Sequence, residues 1–362
     1  MIALSIIGGA PMFLAWREIK KEKMRYGLVI TVVMLISYLV FVLCALAMGL
    51  ARENTVAIES WQIKSAVMTR DANGNAGQSL LTEQEARSLQ QKRGAAILGI
   101  TPTTMKRAGH RESVQFIGLH ANEFVKDRLQ VVSGRLPQHA DEIAVDTTLN
   151  HARYPRHETV TLGLSATRYK IVGYDAQAQY NMAPVVYGDL EAWSSIKGVS
   201  NDYAGSLAVY REDAPNVPRE LVNYSTKQLI DKLPGYVAQK ATFGLMIGFL
   251  VIISMIIMTI FLYILTIQKL PNLAVLRAQG IPNRFLTRNT LFETGVIVLT
   301  AVVIGGGLAV MTLTLLPATV PVYISWPVTG LIALGLLLTG LLGTVVPIRL
   351  ISKIDPASVI GG

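Results

Sequence analysis

The chain has 362 residues, of which 51% are hydrophobic and only 16% are charged, and its mean hydropathy is +0.42. These values exclude an ordinary soluble protein and indicate that part of the chain lies in a lipid bilayer. The formal net charge is +9, so nucleic-acid binding has to be tested against the positions of the basic residues. The single cysteine, Cys44, excludes a disulfide within the chain, and the five histidines have no spacing typical of a zinc site.

Residues 1–25 precede the first long apolar stretch and carry several basic side chains. Phe13, Trp16 and Ile19 fall on one side of a helix from Phe13 to Arg25, with the basic residues opposite. This pattern predicts an amphipathic helix at the membrane surface. An ordinary basic flank of the first membrane helix is the alternative.

Three long uncharged stretches predict the membrane-spanning helices. Residues 26–51 and 241–268 contain 26 and 28 uncharged residues, and each is long enough to cross about 30 Å of hydrocarbon as a helix. Residues 294–348 contain 55, enough for two crossings joined by a proline-rich hairpin. We therefore predict transmembrane helices at 26–51, 242–267, 294–316 and 328–348, with the hairpin at 317–327.

The basic residues outside the long central segment predict the orientation of the chain. Eleven of them lie in residues 1–25, 268–293 and 349–362, which together contain only four acidic residues. In the central segment, 52–241, 22 basic residues are nearly balanced by 20 acidic ones. Because basic residues beside a membrane mark its cytosolic side, we expect a multi-pass protein of the cell membrane with both termini cytosolic and 52–241 outside. This distribution removes the reason to infer nucleic-acid binding.

The segment 52–241 has the mixed pattern of an α+β domain. Thr82 and Glu85 predict a capping box at the start of a helix that ends near Lys92. Strands are predicted at 142–145, 159–162 and 169–173, and further helices at 189–196 and 226–233. The chain contains no HExxH or GxSxG motif and no GxxxxGK[ST] phosphate-binding loop. We therefore expect neither a catalytic site nor a metal site nor ATP binding in this chain.

The order of these parts resembles the permease subunits of type VII ABC transporters, the FtsX- and MacB-like permeases. The sequences GRLP at 134–137, DEIAV at 141–145 and YKIVG at 169–173 are similar to the extracytoplasmic core domain of that family. The sequence RLISKIDPASVI at 349–360 is similar to its C-terminal end. The resemblance implies an α-helical membrane protein with four transmembrane helices and a MacB-type α+β domain inserted between the first and second. It also implies a homodimer and two copies of a separate ABC ATPase subunit that binds the ATP.

The sequence NLAVLRAQGI at 272–281 resembles the segment through which these permeases contact their ATPase. It lies in the predicted cytosolic loop 268–293 and contains a helix-forming stretch that Gly280 and Pro282 should end. Asn272 and Gln279 depart from the glutamate and the aliphatic residue that are usual in the family. The residues expected to couple the chain to the ATPase are Leu273, Val275, Leu276, Arg277 and Gly280.

Two further features accompany the predicted third transmembrane helix. Glu293 is expected to mark the cytosolic start of this helix, since a carboxylate is favourable at a helix N-terminus. Gly305, Gly306 and Gly307 are expected to permit close packing against a neighbouring helix.

Within the family, FLAWREIK at 13–20, KMRY at 23–26 and GLAREN at 49–54 resemble heme-efflux permeases of the Hrt type. This resemblance implies heme as the transported ligand, taken laterally from the membrane, and no permanently bound cofactor. A heme site needs apolar walls, iron ligands such as Met or Tyr, and arginine for the propionates. The outer ends of the first two transmembrane helices supply these residue types: Phe41, Met48, Arg52, Glu53, Glu59, Tyr236, Phe243 and Met246.

The same residues also have simpler explanations. Arg52 and Glu53 would end a transmembrane helix at the interface, Met48 would fill the core, and Tyr236 would belong to an interfacial aromatic belt. Two other functions therefore stay open: export of an antimicrobial peptide or lipid-like amphiphile, and a non-transporting scaffold that passes ATPase motion to external cell-wall hydrolases.

Overall fold

The structure is a computed structural model and describes residues 22–352, except 92, 93, 121, 150, 177, 215, 216, 318 and 319. Most of the predicted interfacial helix and the end of the chain after 352 lie outside the described residues. The chain divides into two compact units. The helical unit comprises Met1–Met48 and Ala241–Gly362, and the sheet unit comprises Gly49–Lys240.

The helices of the described residues differ in length from the predicted spans. They are α1 Lys23–Ser60, α2 Glu83–Gln90, α3 Ala192–Lys197, α4 Thr226–Asp231, α5 Tyr236–Ala278, α6 Asn283–Leu315, α7 Trp326–Leu342 and α8 Val345–Ser352. Within the described ranges, α1, α5 as far as Pro271, and α6 are long and apolar enough to cross a membrane. The fourth predicted span, 328–348, is interrupted after α7, an apolar helix of 17 residues. Three membrane-length helices are thus established, and the fourth crossing stays a prediction.

The segment predicted as a cytosolic loop, 268–293, is mostly helical, as the helix-forming stretch within it indicated. α5 continues to Ala278, and α6 begins at Asn283, so only four residues separate the two helices. The apolar residues of this segment recur at helical spacing and pack between α5 and α6. Both helices therefore continue through the charged residues of the segment.

The helical unit is held together by close contacts between α1, α6 and α7. A Cβ atom added to Gly305 of α6 would lie 2.7 Å from the backbone oxygen of Met34 on α1. On α7, a Cβ added to Gly340 would lie 2.7 Å from the side chain of Val298. The prediction of close packing therefore holds for Gly305, whereas Gly307 faces open space.

The sheet unit contains a long sheet that closes partly on itself. Its strands are β1 Ser65–Thr69, β2 Leu81–Thr82, β3 Ala95–Arg107, β4 His110–Leu119, β5 Val131–Gly134, β6 Glu142–Asp146, β7 Thr159–Leu162, β8 Arg168–Asp175, β9 Gln179–Tyr180, β10 Ala183–Asp189, β11 Tyr203–Gly205, β12 Leu207–Tyr210 and β13 Leu221–Ser225. The main order is β13-β1-β12-β3-β4-β10-β6-β8-β5, and β11 pairs with β2. Because β7 pairs with both β3 and β8, the strands β3-β4-β10-β6-β8-β7 form a closed ring.

Two apolar cores lie on the two faces of this sheet. One contains Phe116, Ile143 and Val186, and alternate residues of the same strands supply the other, which includes Ile117 and Tyr187. The predicted α+β pattern is confirmed, and the predicted strands at 142–145, 159–162 and 169–173 correspond to β6, β7 and β8.

The three helices predicted in the sheet unit are present as α2, α3 and α4, with bounds that differ by a few residues. The capping box of Thr82 and Glu85 is present at the start of α2. The helix predicted from residue 189 is wrong at its start, because Asp189 ends β10 and its Oδ1 accepts the N–H of Glu191 at 2.9 Å. The helix begins only at Ala192.

Candidate functional site

A tight turn joins α5 to α6. α5 ends in a Schellman motif, in which the N–H of Ile281 donates to the carbonyl of Leu276 at 3.2 Å and the N–H of Gly280 to that of Arg277 at 2.9 Å. Gly280 is exposed and has φ of +89°, a left-handed conformation that glycine adopts without strain. Pro282 occupies the N-cap position of α6. The predicted end of the helix at Gly280 and Pro282 is confirmed.

A small apolar cluster holds this helical hairpin together and includes part of the predicted coupling set. Ala274 and Leu286 are buried between the helices, and Leu273 and Leu276 pack against them. Val275 lies on the outside, with 48% of its surface exposed. A partner that binds the hairpin would therefore contact Val275, whereas Leu273 and Leu276 hold the two helices together.

A buried polar cluster, formed by Tyr26, Lys269 and Glu293, lies where α1, α5 and α6 meet. Lys269 Nζ donates to Glu293 Oε1 at 2.7 Å, and the Tyr26 hydroxyl donates to the same oxygen. The ammonium group of Lys269 also lies 5.3 Å from the centroid of the Tyr26 ring, within the range of a cation–π interaction. Ionisable residues in membrane helices are costly unless they are paired, and they commonly mark functional sites.

The polar cluster corrects the interpretation of Glu293. This residue is 6% exposed and lies well inside α6, which begins at Asn283, so it does not mark the start of the helix. Tyr26 and Glu293 are 267 positions apart, and no local pattern links them. The feature of the sequence that could have indicated a buried role is that Glu293 is the only charged residue between Arg288 and Arg349.

A cleft between α5 and α6 connects the polar cluster with the helical hairpin. Lys269 and Glu293 line this cleft together with Leu273 and Leu276. Asn289 and Thr294 also line it, and their Oδ1 and Oγ1 atoms are buried without a hydrogen-bond partner within the described part of the chain.

Four of the predicted heme-binding residues lie in the helical unit. Phe41 is 7% exposed, and a Cβ added to Gly306 would lie 3.3 Å from its ring, so Phe41 belongs to the packing between α1 and α6. Met48 is half-buried. On α5, Phe243 is half-buried and Met246, one turn further along, is exposed. Met246 is thus the most accessible of these four side chains.

The other four predicted heme-binding residues lie in the sheet unit, where the end of α1 approaches the start of α5. The side-chain amide of Asn54 donates to Gln239 Oε1 at 3.2 Å and brings these two helix ends together. Arg52, Glu53 and Tyr236 are half-buried there. Glu59 is exposed and accepts a hydrogen bond from the hydroxyl of Thr55 at 2.8 Å.

The turn between β9 and β10 adds a residue that sequence reasoning missed. The N–H groups of Asn181 and Met182 donate to the carbonyls of Asn54 and Glu53, each at 3.1 Å. Both turn residues have positive φ, and for methionine this conformation is strained. Asn-Met occupies this two-residue hairpin turn, in which Asn-Gly is usual. This unusual dipeptide is the feature of the sequence that could have drawn attention to Met182. Met182 is half exposed beside the predicted candidate Glu53.

Buried carboxylates in the sheet unit serve to fix loops. Asp146 and Asp175 are opposite each other on β6 and β8, and burial raises the pKa of both, that of Asp175 to about 6. Burial also raises the pKa of Glu123 to about 7, although it accepts backbone hydrogen bonds from Ile97 and His120. No group of three or more His, Cys, Asp or Glu side chains suited to a metal occurs among the described residues.

Comparison with known proteins identifies the class of this chain. Residues 244–356 match the FtsX-like permease C-terminal family. The chain is 26% identical over 353 residues to a protein of Staphylococcus haemolyticus named as hemin transport system permease protein HrtB, and the match covers 97% of this chain and 99% of that protein. An uncharacterized ABC transporter permease of Mycobacterium bovis is 26% identical over 364 residues, with the same coverage.

Among solved structures, the sheet-rich part is similar to the extracellular domain of the noncanonic ABC-type transporter YknZ from Gram-positive bacteria. That match has a TM-score of 0.32 and 15% sequence identity, and it covers 42% of this chain and 84% of the other. The matches over nearly the whole length of both sequences are all to permeases. This chain is therefore an ABC transporter permease that carries an FtsX-like permease domain.

Proposed function

We propose that this chain is the membrane subunit of an efflux transporter for heme, driven by a separate ABC ATPase. The observation that carries the proposal is the similarity to a protein named for hemin transport over 97% of this chain. The accessible Met246 on the apolar surface of α5 supports an apolar, iron-containing ligand. The proposed direction of transport is outward.

In the proposed mechanism, heme enters laterally from the membrane and binds between helices of a homodimer. Arg52 would pair with a propionate, and Met48, Met246 or Tyr236 would offer an iron ligand. Each protomer of a symmetric dimer presents the same side chains, so one ligand from each could reach the iron. Two ATPase subunits would bind the helical hairpins, and their closure would move α5 and α6 and drive heme out.

Heme recognition can be tested with the full chain and its ATPase subunit in nanodiscs. We expect added heme to shift its Soret band and to stimulate ATP hydrolysis. Met246→Ala should weaken both effects, whereas Met311→Ala, an exposed methionine on α6, should leave them unchanged. Stimulation by an amphiphilic peptide or lipid without any response to heme would contradict a heme exporter. A change in cell separation but not in heme tolerance after deletion would instead indicate a signalling scaffold.

The proposed orientation has a separate test in intact cells. With Cys44 replaced by alanine, single cysteines are introduced at the exposed positions Leu164 and Gln279. A membrane-impermeant maleimide should label Leu164→Cys and spare Gln279→Cys until the cells are opened. Labelling of both positions in intact cells would overturn the assignment of the helical hairpin to the cytosol.

A further inference from the structure

We propose that the sheet unit binds a phosphate-rich polyanion of the cell envelope through a row of cations on the outer face of its closed strand ring. The row consists of Lys106, Arg111, Arg168 and Lys170, and we call it the basic row. The proposal depends on the proposed function only in placing the sheet unit outside the cell.

The strand registers place these cations side by side. Lys106 on β3 is opposite Arg111 on β4. On its other edge Lys106 is opposite Thr161 on β7, which is in turn opposite Arg168 on β8. Directly opposite residues share one face of a sheet. Because neighbouring strands are about 4.8 Å apart, the row extends over about 14 Å across four strands.

The basic row faces outward and not into the core. Lys170 lies two residues after Arg168 on the same face, opposite Thr159. All four cations are exposed, whereas Met105 and Tyr169, which alternate with them along β3 and β8, are buried. The side chains are therefore available to a ligand in solution.

The charges of the basic row are not neutralised by neighbouring carboxylates. Glu112 is opposite the buried Met105 and so lies on the other face of the sheet. Glu158 pairs with Arg107 at 3.3 Å. Glu142 is opposite Lys170 on the neighbouring strand β6, but it binds Arg135 through both oxygens. Within the described ranges, no carboxylate lies within 4.0 Å of a cation of the row. Like charges directly opposite in a sheet are destabilising, so an anion that binds here would remove an existing repulsion.

The lining of this surface favours a chain of phosphates over other anions. An open depression of about 410 Å³ is lined by Lys106, Arg111 and Arg168 of the row, and the hydroxyl-bearing residues Thr159 and Thr161 also line it. Among the described residues, its lining contains no Phe, Tyr or Trp, so it lacks the apolar walls that heme needs, and only the ring of His110 could stack on a nucleobase. A single phosphate is too small to contact cations spread over about 14 Å, whereas a polymer can contact all of them.

The test uses the full-length chain in nanodiscs and fluorescently labelled inorganic polyphosphate, with binding followed by anisotropy at several salt concentrations. We expect the triple variant K106Q/R111Q/R168Q to lose at least tenfold in affinity and to lower the salt slope by about 2, since each phosphate contact contributes about 0.7. The control K64Q/R128Q/K227Q removes three exposed cations elsewhere in the same unit and should bind as the unchanged chain does. Tryptophan fluorescence confirms that each variant is folded.

Equal binding by the unchanged chain and the triple variant, or an equal loss in the control, would overturn the proposal. Binding to vesicles of anionic phospholipid through the same residues, with no affinity for polyphosphate, would assign the row to a membrane surface and also overturn it. The assay is independent of orientation and of heme. A failed heme experiment would therefore refute the proposed function without affecting this result, whereas labelling that placed the sheet unit in the cytosol would also overturn a ligand from the cell envelope.

Discussion

At the scale of single residues, the polar cluster contains buried charges of the helical unit, and burying a charge costs free energy unless it is paired. Glu293 accepts hydrogen bonds from both Lys269 and Tyr26, so its charge is balanced by a cation and its Oε1 atom has two donors. Removing one member of this ion pair should cost more than replacing both members by apolar residues.

Lys269→Met and Glu293→Leu should each destabilise the chain by about 3–5 kcal/mol, because each removes one member of a buried ion pair. The double variant should recover most of this loss, since an apolar pair needs no compensation. Thermal unfolding of the three variants in detergent measures the effect. Losses that simply add in the double variant would show that the two side chains do not act on each other.

The polar cluster also shows where sequence reasoning reaches its limit. The capping box of Thr82 and Glu85 and the helix end at Gly280 were predictable because each depends on residues within a few positions. The partners of Glu293 are 24 and 267 positions away, and only the fold brings them together. The heme candidates were chosen by helical spacing, which placed Phe41 on the right helix but could not reveal that it packs against Gly306.

At the scale of elements, the contact between α1 and α6 depends on one glycine. Gly305→Ala should push the helices apart, because the added Cβ would lie 2.7 Å from a backbone oxygen, which cannot move without its helix. We expect a loss of about 1–3 kcal/mol by overpacking. Gly307→Ala is the matched control, since that position faces open space. Comparing their unfolding temperatures tests the contact, and equal stability of the two variants would argue against it.

In the helical hairpin, the residue expected to contact the ATPase differs from the residues that pack α5 against α6. Val275→Asp should abolish heme-stimulated ATP hydrolysis with little change in stability, because its side chain is exposed. Leu276→Asp should instead destabilise the hairpin by placing a carboxylate against Leu286. Co-purification with the ATPase, together with thermal unfolding of the permease alone, distinguishes the two effects. Normal heme-stimulated ATP hydrolysis in Val275→Asp would show that the ATPase does not dock at Val275.

At the scale of the whole molecule, the sheet unit should be most stable in mildly acidic solution. Burial raises the pKa of Asp175 to about 6 and that of Glu123 to about 7, so the folded chain holds these protons more tightly than the unfolded chain. Their stabilising effect is therefore complete near pH 4 and is lost as pH rises through about 6 to 7. Arg135 instead lowers the pKa of Glu142 to about 2, so that contribution is present above about pH 4.5 and is lost as pH falls towards 2.

Denaturant unfolding of the full chain, followed by the fluorescence of the buried Trp61 and Trp193, should therefore show lower stability at pH 7.5 than at pH 5. Asp175→Asn keeps the shape of the side chain but cannot ionise, so it should reduce this difference. An unchanged pH profile in that variant would contradict the assignment.

The overall architecture was largely readable from the sequence, because long uncharged stretches and alternating strands are strong signals. The closed ring was not, since it requires the short strand β7 to pair with both β3 and β8, and that pairing depends on packing of residues far apart in the chain. The interruption after α7 was also missed, because Gly343 and Thr344 lie within an unbroken apolar stretch.

The ion pair of Lys269 and Glu293 also restricts which substitutions this permease can accept during evolution. Loss of either side chain alone would break the buried ion pair and lower stability, so we expect a substitution at one position to be accepted mainly when the other changes too. Descendants of a common ancestor should therefore keep both residues or replace both together. An alignment of related permeases in which the two positions vary independently would contradict this expectation.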